Sequence, residues 1–164
     1  MKVIVGIDPG LTGGIAFIST DGTGIAVASQ RTPILSVGGK RDYDIPGMRR
    51  TLCDHPYEIK MVCIERVHTL PRDGRVGAFR FGTGYGIWLG MIGALQLPSM
   101  EVTPQRWQAT MLAGLPRGPK TKVSAVRAST SLFPTLPLKV KADWGIADAA
   151  LLAEYARRKL IGAK

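Results

Sequence analysis

The chain has 164 residues, 45% of them hydrophobic, and a formal net charge of +10 from 22 basic and 12 acidic side chains. That length and apolar fraction predict one domain, residues 1–164. No run of about 18 apolar residues offers a membrane span, and Met1-Lys2 followed by a short strand lacks a signal peptide's apolar region, so a soluble, cytoplasmic protein is expected. Cys53 and Cys63 match no metal-ligand spacing, which with only His55 and His68 argues against a zinc site. The positive charge predicts a polyanionic partner, most simply nucleic acid.

Val3 to Ile7 is an apolar run closed by Asp8-Pro9-Gly10, the pattern of a buried strand. Asp8 is either a turn residue, since Asp-Pro-Gly is ordinary turn chemistry, or a carboxylate compensated by a cation. A glycine-rich turn, Gly10 to Gly14, leads to two further strands, Gly14–Ile18 and Gly24–Ala28, joined at Asp21-Gly22 into a three-stranded meander. Thr32 to Asp44 lacks periodicity and is expected as a loop, and a short helix follows Pro46 to near Asp54. The next apolar run, Ile59 to Ile64, ends on Glu65 and repeats the pattern at Asp8. If the two strands lie parallel and adjacent, both acids stand at carboxyl ends of strands, where open α/β sheets place ligands.

Arg66 to Arg80 is expected as a basic loop that presents His68, Arg72, Arg75 and Arg80 to phosphates. A helix from about Val76 to Leu97 follows, with Gly82, Gly86 and Gly90 at four-residue spacing. Glycine costs about 1 kcal/mol against alanine inside a helix, so this bare stripe predicts close approach of the sheet or of a second subunit. Gly82 to Gly86 fits no nucleotide-loop spacing. Met100 to Val102 is a short strand, and Thr103-Pro104 opens a helix to about Ala113 with Trp107 facing the core. Leu115 to Lys122 is a basic loop, Lys122 to Phe133 a helix, and Pro134 to Lys141 a stiff, basic approach to the last helix, Gly145 to Leu160. There Leu151, Leu152 and Tyr155 share the face of Asp148, and Arg157 falls opposite. Asp148 is then a site carboxylate or a partner of the helix dipole, and Asp143 caps the helix or joins the site.

Carboxylates at two strand ends and one helix start, in a basic chain, point to a magnesium-dependent phosphodiesterase. Hard divalent cations take oxygen ligands, and a pair of them about 4 Å apart activates water and stabilises the leaving oxygen of an in-line displacement.

Gly6-Ile7-Asp8-Pro9-Gly10, Ile64-Glu65-Arg66-Val67, Val102-Thr103-Pro104-Gln105-Arg106-Trp107 and Ala147-Asp148-Ala149-Ala150-Leu151-Leu152-Ala153 together resemble the RuvC family of Holliday junction resolvases, especially compact phage-type members. The resemblance spans about Met1 to Arg158. It implies an α/β, ribonuclease-H-like fold with a mixed five-stranded sheet, an antiparallel three-strand meander plus parallel strands, flanked by helices. It also implies a homodimer in a bacterial or phage-infected cell that makes paired nicks in four-way DNA junctions, with two Mg²⁺ ions per site and Mn²⁺ able to substitute. By motif, Asp8 bridges the ions and Glu65 and Asp148 ligate them. The chain departs from the family pattern at Gly145, where cellular members carry an acid or His, so either Asp143 substitutes or three carboxylates suffice. The resemblance further implies phosphate contacts from Arg75, Arg80, Lys120 and Lys122, base stacking by Phe79 or Phe81, and a dimer contact through Gly82, Gly86 and Gly90. A ribonuclease-H-like nuclease acting on RNA or RNA–DNA hybrid and a catalytically silent junction-binding protein are the competing readings.

Overall fold

In a computed structural model, which describes residues 1–21, 24–66, 74–136, 138–139 and 142–162, strand β1 (Lys2–Asp8) is the middle of the sheet. It pairs antiparallel with β2 (Gly14–Ser19), which pairs antiparallel with β3 (Ala26–Arg31). A second hairpin, β4 (Ile34–Val37) and β5 (Lys40–Tyr43), stands apart from this sheet. On the other side β1 pairs parallel with β6 (Glu58–Glu65), and β6 parallel with β7 (Ser99–Val102), giving the order β3-β2-β1-β6-β7. Ile7 lies beside Ile64 in this register. Asp8 and Glu65 therefore end adjacent parallel strands, as their sequence pattern predicts.

The alternation of side chains along a strand divides the core in two. Ile4, Ala16, Ile18 and Cys63 face α3 (Pro104–Met111), α4 (Thr121–Leu132) and α5 (Trp144–Ile161). Val3, Val5, Ile7, Phe17, Val62 and Ile64 face α1 (Ile45–Cys53) and α2 (Arg75–Ala94). With both faces covered, the central strands read as continuous apolar runs. Among the described residues no helix is long and apolar enough to cross a membrane.

Two expectations are corrected. The stretch from Thr32 to Asp44 is not a loop, because β4 and β5 pair across Gly38-Gly39, whose φ angles of +56° and +74° are those of a two-residue primed hairpin turn. The strands are exposed except at Tyr43, so no apolar alternation marks them. The basic segment up to Arg80 is also helical from Arg75 onward. His68 and Arg72 lie outside the described residues.

Arg157, partly buried, folds back along α5 onto Glu154. Its Nε and Nη2 donate to Glu154 at 2.6 and 3.0 Å, and Arg158 Nε donates to the same carboxylate at 2.8 Å. Burial pushes Glu154 up, but the hydrogen bonds and charges of the two arginines outweigh it and hold its carboxyl below the ordinary value. Because Glu154 is only 3% exposed, Glu154→Gln is expected to remove about 3 kcal/mol of stability near neutral pH. A depressed carboxyl stabilises the fold above its unfolded pKa of about 4.3, and the gain is lost as pH falls through the folded value. The Tm gap between wild type and variant should thus narrow as the pH falls below the unfolded value; a constant gap would count against the ion pairs.

Candidate active site

Asp8 and Glu65 reach their places through β1 and β6, and Asp148 through an unusually close helix. A Cβ on Gly6 would lie 1.8 Å from the Ala149 carbonyl oxygen, so glycine alone lets α5 settle onto β1. The alanines of α5 at 147, 149, 150 and 153 are all fully buried, and Ala149 and Ala153 meet Gly6 directly. At its other end the helix rests on the β1–β2 turn, where Gly13 and Gly145 form an isolated parallel bridge. Asp148, four residues inside the helix, is thereby set beside the strand ends.

The three acids share a cleft of roughly 500 Å³ with Thr12, Phe81, Lys122, Trp144 and Gly145. Burial pushes Asp8 up to about 6 despite the Gly10 N–H and the Lys122 charge. Burial and the Asp8 charge push Glu65 up to about 7, against the hydrogen bond from Trp107. Burial, then Asp8 and Glu65, hold Asp148 well above its ordinary value, with Lys122 opposing. The protein thus gathers negative charge here and supplies little to balance it, which marks a functional site more than a structural one. The acids are neighbours in charge without being ligands of a common point. Among the described residues no group of three His, Cys, Asp or Glu side chains is arranged to hold one metal ion.

Trp107 is fully buried, as its place on an apolar helix face predicts, and it has a second role that the sequence does not show. Its Nε1 donates to Glu65 Oε1 at 2.8 Å and fixes that carboxylate's direction. Thr103-Pro104 supplies the only local hint, since a helix starting directly after β7 must fold back against the end of β6. Lys122 Nζ sits 4.4 Å from the Trp144 ring centre, a cation–π contact that holds its charge at the cleft. Lys120, at the end of a single 3₁₀ turn (Gly118–Lys120), is exposed and does not line the cleft.

Asp143 is not brought to the other acids. Arg31 Nε and Nη2 donate to its Oδ1 at 3.0 and 2.8 Å, and the Lys139 N–H donates to Oδ2 at 2.8 Å. Burial raises it, yet these bonds and the nearby charges hold it below the ordinary value. Its two oxygens already have partners, so it serves as a brace between β3 and the start of α5. Position 145 is closed as well, because a Cβ there would come within 2.4 Å of the Gly13 carbonyl carbon.

The two phenylalanines separate. Phe81 lines the acid cleft, whereas Phe79 is 76% exposed beside the β4–β5 hairpin with Arg75 and Arg80. Gly82, Gly86 and Gly90 have nothing within 4 Å of a notional Cβ. Their stripe faces outward and the sheet is not its partner.

No protein-family model and no curated protein sequence matches the chain. Solved structures do. The fold is ribonuclease-H-like, the mixed sheet and flanking helices of the RuvC structures. The chain is similar to Thermus thermophilus RuvC in complex with Holliday junction substrate, with a TM-score of 0.65 and 14% identity over 98% of this chain and 96% of that one. It is similar to a second T. thermophilus RuvC structure at TM-score 0.59 and 17% identity, again over 98% and 96%. Fowlpox virus resolvase in complex with Holliday junction DNA matches at TM-score 0.53 and 13% identity, over 95% of this chain and 99% of that one.

Proposed function

We propose that this chain is a divalent-metal-dependent, structure-selective endonuclease that makes paired nicks in opposing strands of four-way DNA junctions. The observation that carries the reading is the meeting of Asp8, Glu65 and Asp148 beside Lys122 in one cleft, within a strongly basic chain that shares its fold with proteins solved on Holliday junctions.

Every acidic donor is a carboxylate, the ligand class of hard divalent cations, and a bound cation would offset the cost of ionising three acids that burial and mutual repulsion raise, which supports Mg²⁺ or Mn²⁺ as the group these residues would hold. When bound, two such ions would supply an activated water and a stabilised leaving oxygen for in-line displacement at phosphorus. The chain's own residues do the rest. The Asp8 charge acts on both Glu65 and Asp148, so its carboxylate would be the one shared between two ions. Trp107 keeps one Glu65 oxygen occupied and leaves the other to the cleft. Lys122 offers its ammonium to a phosphate oxygen next to the scissile bond, while Phe81 walls the cleft from the α2 side. A homodimer through the exposed glycine stripe of α2 would present two equivalent sites to a nearly two-fold substrate.

The deciding experiment is cleavage of a mobile four-way junction beside linear duplex, fork and RNA–DNA hybrid, with Mg²⁺ or with EDTA. Paired, Mg²⁺-dependent nicks confined to the junction are expected. Preferred cleavage of the hybrid would replace this reading with a ribonuclease-H activity, and tight junction binding without cleavage in Mg²⁺ or Mn²⁺ would replace it with a binding protein.

A further inference from the structure

We infer that Trp144 is a positioning residue for Lys122, whose ammonium its ring face draws away from Asp8, Glu65 and Asp148, leaving those carboxylates to a divalent cation. The inference rests on the metal reading of the acid cleft and deepens it.

Lys122 and the three acids line one cleft. The lysine is the second residue of α4 and is exposed, on a flexible stem that lets its ammonium choose among partners. Its charge is felt at both Asp8 and Asp148, where it opposes the rise that burial causes. An ammonium so placed is the natural counter-ion of those carboxylates, because the attraction grows as water is excluded. Yet among the described residues no ion pair joins Lys122 to any of the three acids. Its Nζ lies over Trp144 instead, 4.4 Å from the ring centre.

The ring is fixed by its own helix and not by the lysine that rests on it. Trp144 opens α5 between two anchored neighbours. On one side the Asp143 carboxylate accepts from Arg31 Nη2 and from the Lys139 N–H, each at 2.8 Å. On the other, Gly145 is bridged to Gly13 in the β1–β2 turn. The choice of side chain points the same way. Trp144 lines the cleft, and its Nε1 is buried without a hydrogen-bond partner among the described residues. A leucine or phenylalanine would fill this place without that penalty. What tryptophan adds is the aromatic face that attracts a cation best.

The arrangement keeps two positive charges from competing for the same acids. An ammonium paired with Asp8 or Asp148 would neutralise the charge that attracts a metal, and a metal could bind only by breaking that pair. Held on the indole, Lys122 opposes the metal by weaker, longer-range repulsion alone, and its N–H groups stay free for an anionic oxygen of the substrate.

The test is binding of Mn²⁺ alone, without DNA, followed by the paramagnetic resonance of the free ion near neutral pH. Wild type, Trp144→Leu, Lys122→Met and the double variant are compared, with thermal unfolding to verify each fold. Trp144→Leu should weaken Mn²⁺ binding about fivefold, the free-energy scale of a cation–π contact. Lys122→Met should bind Mn²⁺ at least as tightly as wild type, and in that background the leucine substitution should have little further effect. Trp144→Phe keeps a weaker face, should fall between wild type and Trp144→Leu, and carries the same comparison if the leucine variant does not fold. Unchanged Mn²⁺ binding in the Trp144 variants would overturn the inference. So would an equal loss with and without Lys122, which is the mark of a Trp144 that only supports the start of α5. Failure of the metal reading shows differently, as wild type that binds no Mn²⁺, and it would bring this inference down with it.

Discussion

Asp8→Asn is expected to abolish the proposed junction cleavage, by about 10³-fold or more, while leaving junction binding in EDTA intact and raising the unfolding temperature of the metal-free protein. The three outcomes come from one cause. Asp8 ends β1 in the cleft it shares with Glu65 and Asp148, and its carboxyl is pushed up to about 6 mainly by burial. An acid whose pKa rises on folding is destabilising when ionised. The cost is absent below the unfolded value of about 4, grows as pH rises through the interval between the two, and is complete above the folded value. At about pH 8 the neutral amide escapes that cost, so the Tm of the variant exceeds that of wild type by several degrees, and the difference closes toward about pH 4. Glu65→Gln follows the same logic, tempered by the amide's own fit to the Trp107 N–H. Calorimetry with EDTA and single-turnover cleavage with Mg²⁺ read both effects. A turn residue behaves in the opposite way, because Asn in place of a structural Asp leaves cleavage intact and Tm equal or lower. Full activity in Asp8→Asn would end the metal-site reading.

The parts of this site that were legible in the sequence are those marked by local pattern. Two apolar runs ending on Asp8 and Glu65, and a helical face shared by Asp148 with Leu151, Leu152 and Tyr155, needed only periodicity to be seen. Contacts between distant residues left no such mark. Arg31 and Asp143 are 112 positions apart, and nothing near either announces that they pair, so the sequence left Asp143 open as a helix cap or a site ligand, and the structure has it at the N-cap position of α5, paired with Arg31. The hairpin at Ile34 to Tyr43 escaped because its strands cover no core and so lack alternation, although Gly38-Gly39 signalled the turn. Once the hairpin is in place, Phe79 and Phe81, indistinguishable by composition, belong to different surfaces.

Gly145→Asp, which would supply the acid that the RuvC resemblance leads one to expect three residues before Asp148, is expected to impair the protein instead of completing it. A Cβ at this position meets the Gly13 carbonyl carbon at 2.4 Å, Gly13 Cα at 2.5 Å and the Thr12 carbonyl oxygen at 2.5 Å. All three are backbone atoms, which cannot rotate away as a side chain would. Gly14 is equally tight from the other side, with its notional Cβ 2.7 Å from the Ile146 nitrogen. Any side chain at 145 must therefore lift the start of α5 off the β1–β2 turn, at a cost of about 2 kcal/mol or more. The same movement carries Asp148 away from Asp8, and a displacement near 1 Å is enough to reduce turnover about 10²-fold. Gly145→Ala separates the two effects, because it adds the collision without the charge and should lose nearly as much of both Tm and single-turnover rate as Gly145→Asp. Wild-type stability with faster cleavage in Gly145→Asp would show that a fourth carboxylate fits. Without that result, the close contact of Gly145 with Gly13 leaves no room for a fourth acid at position 145.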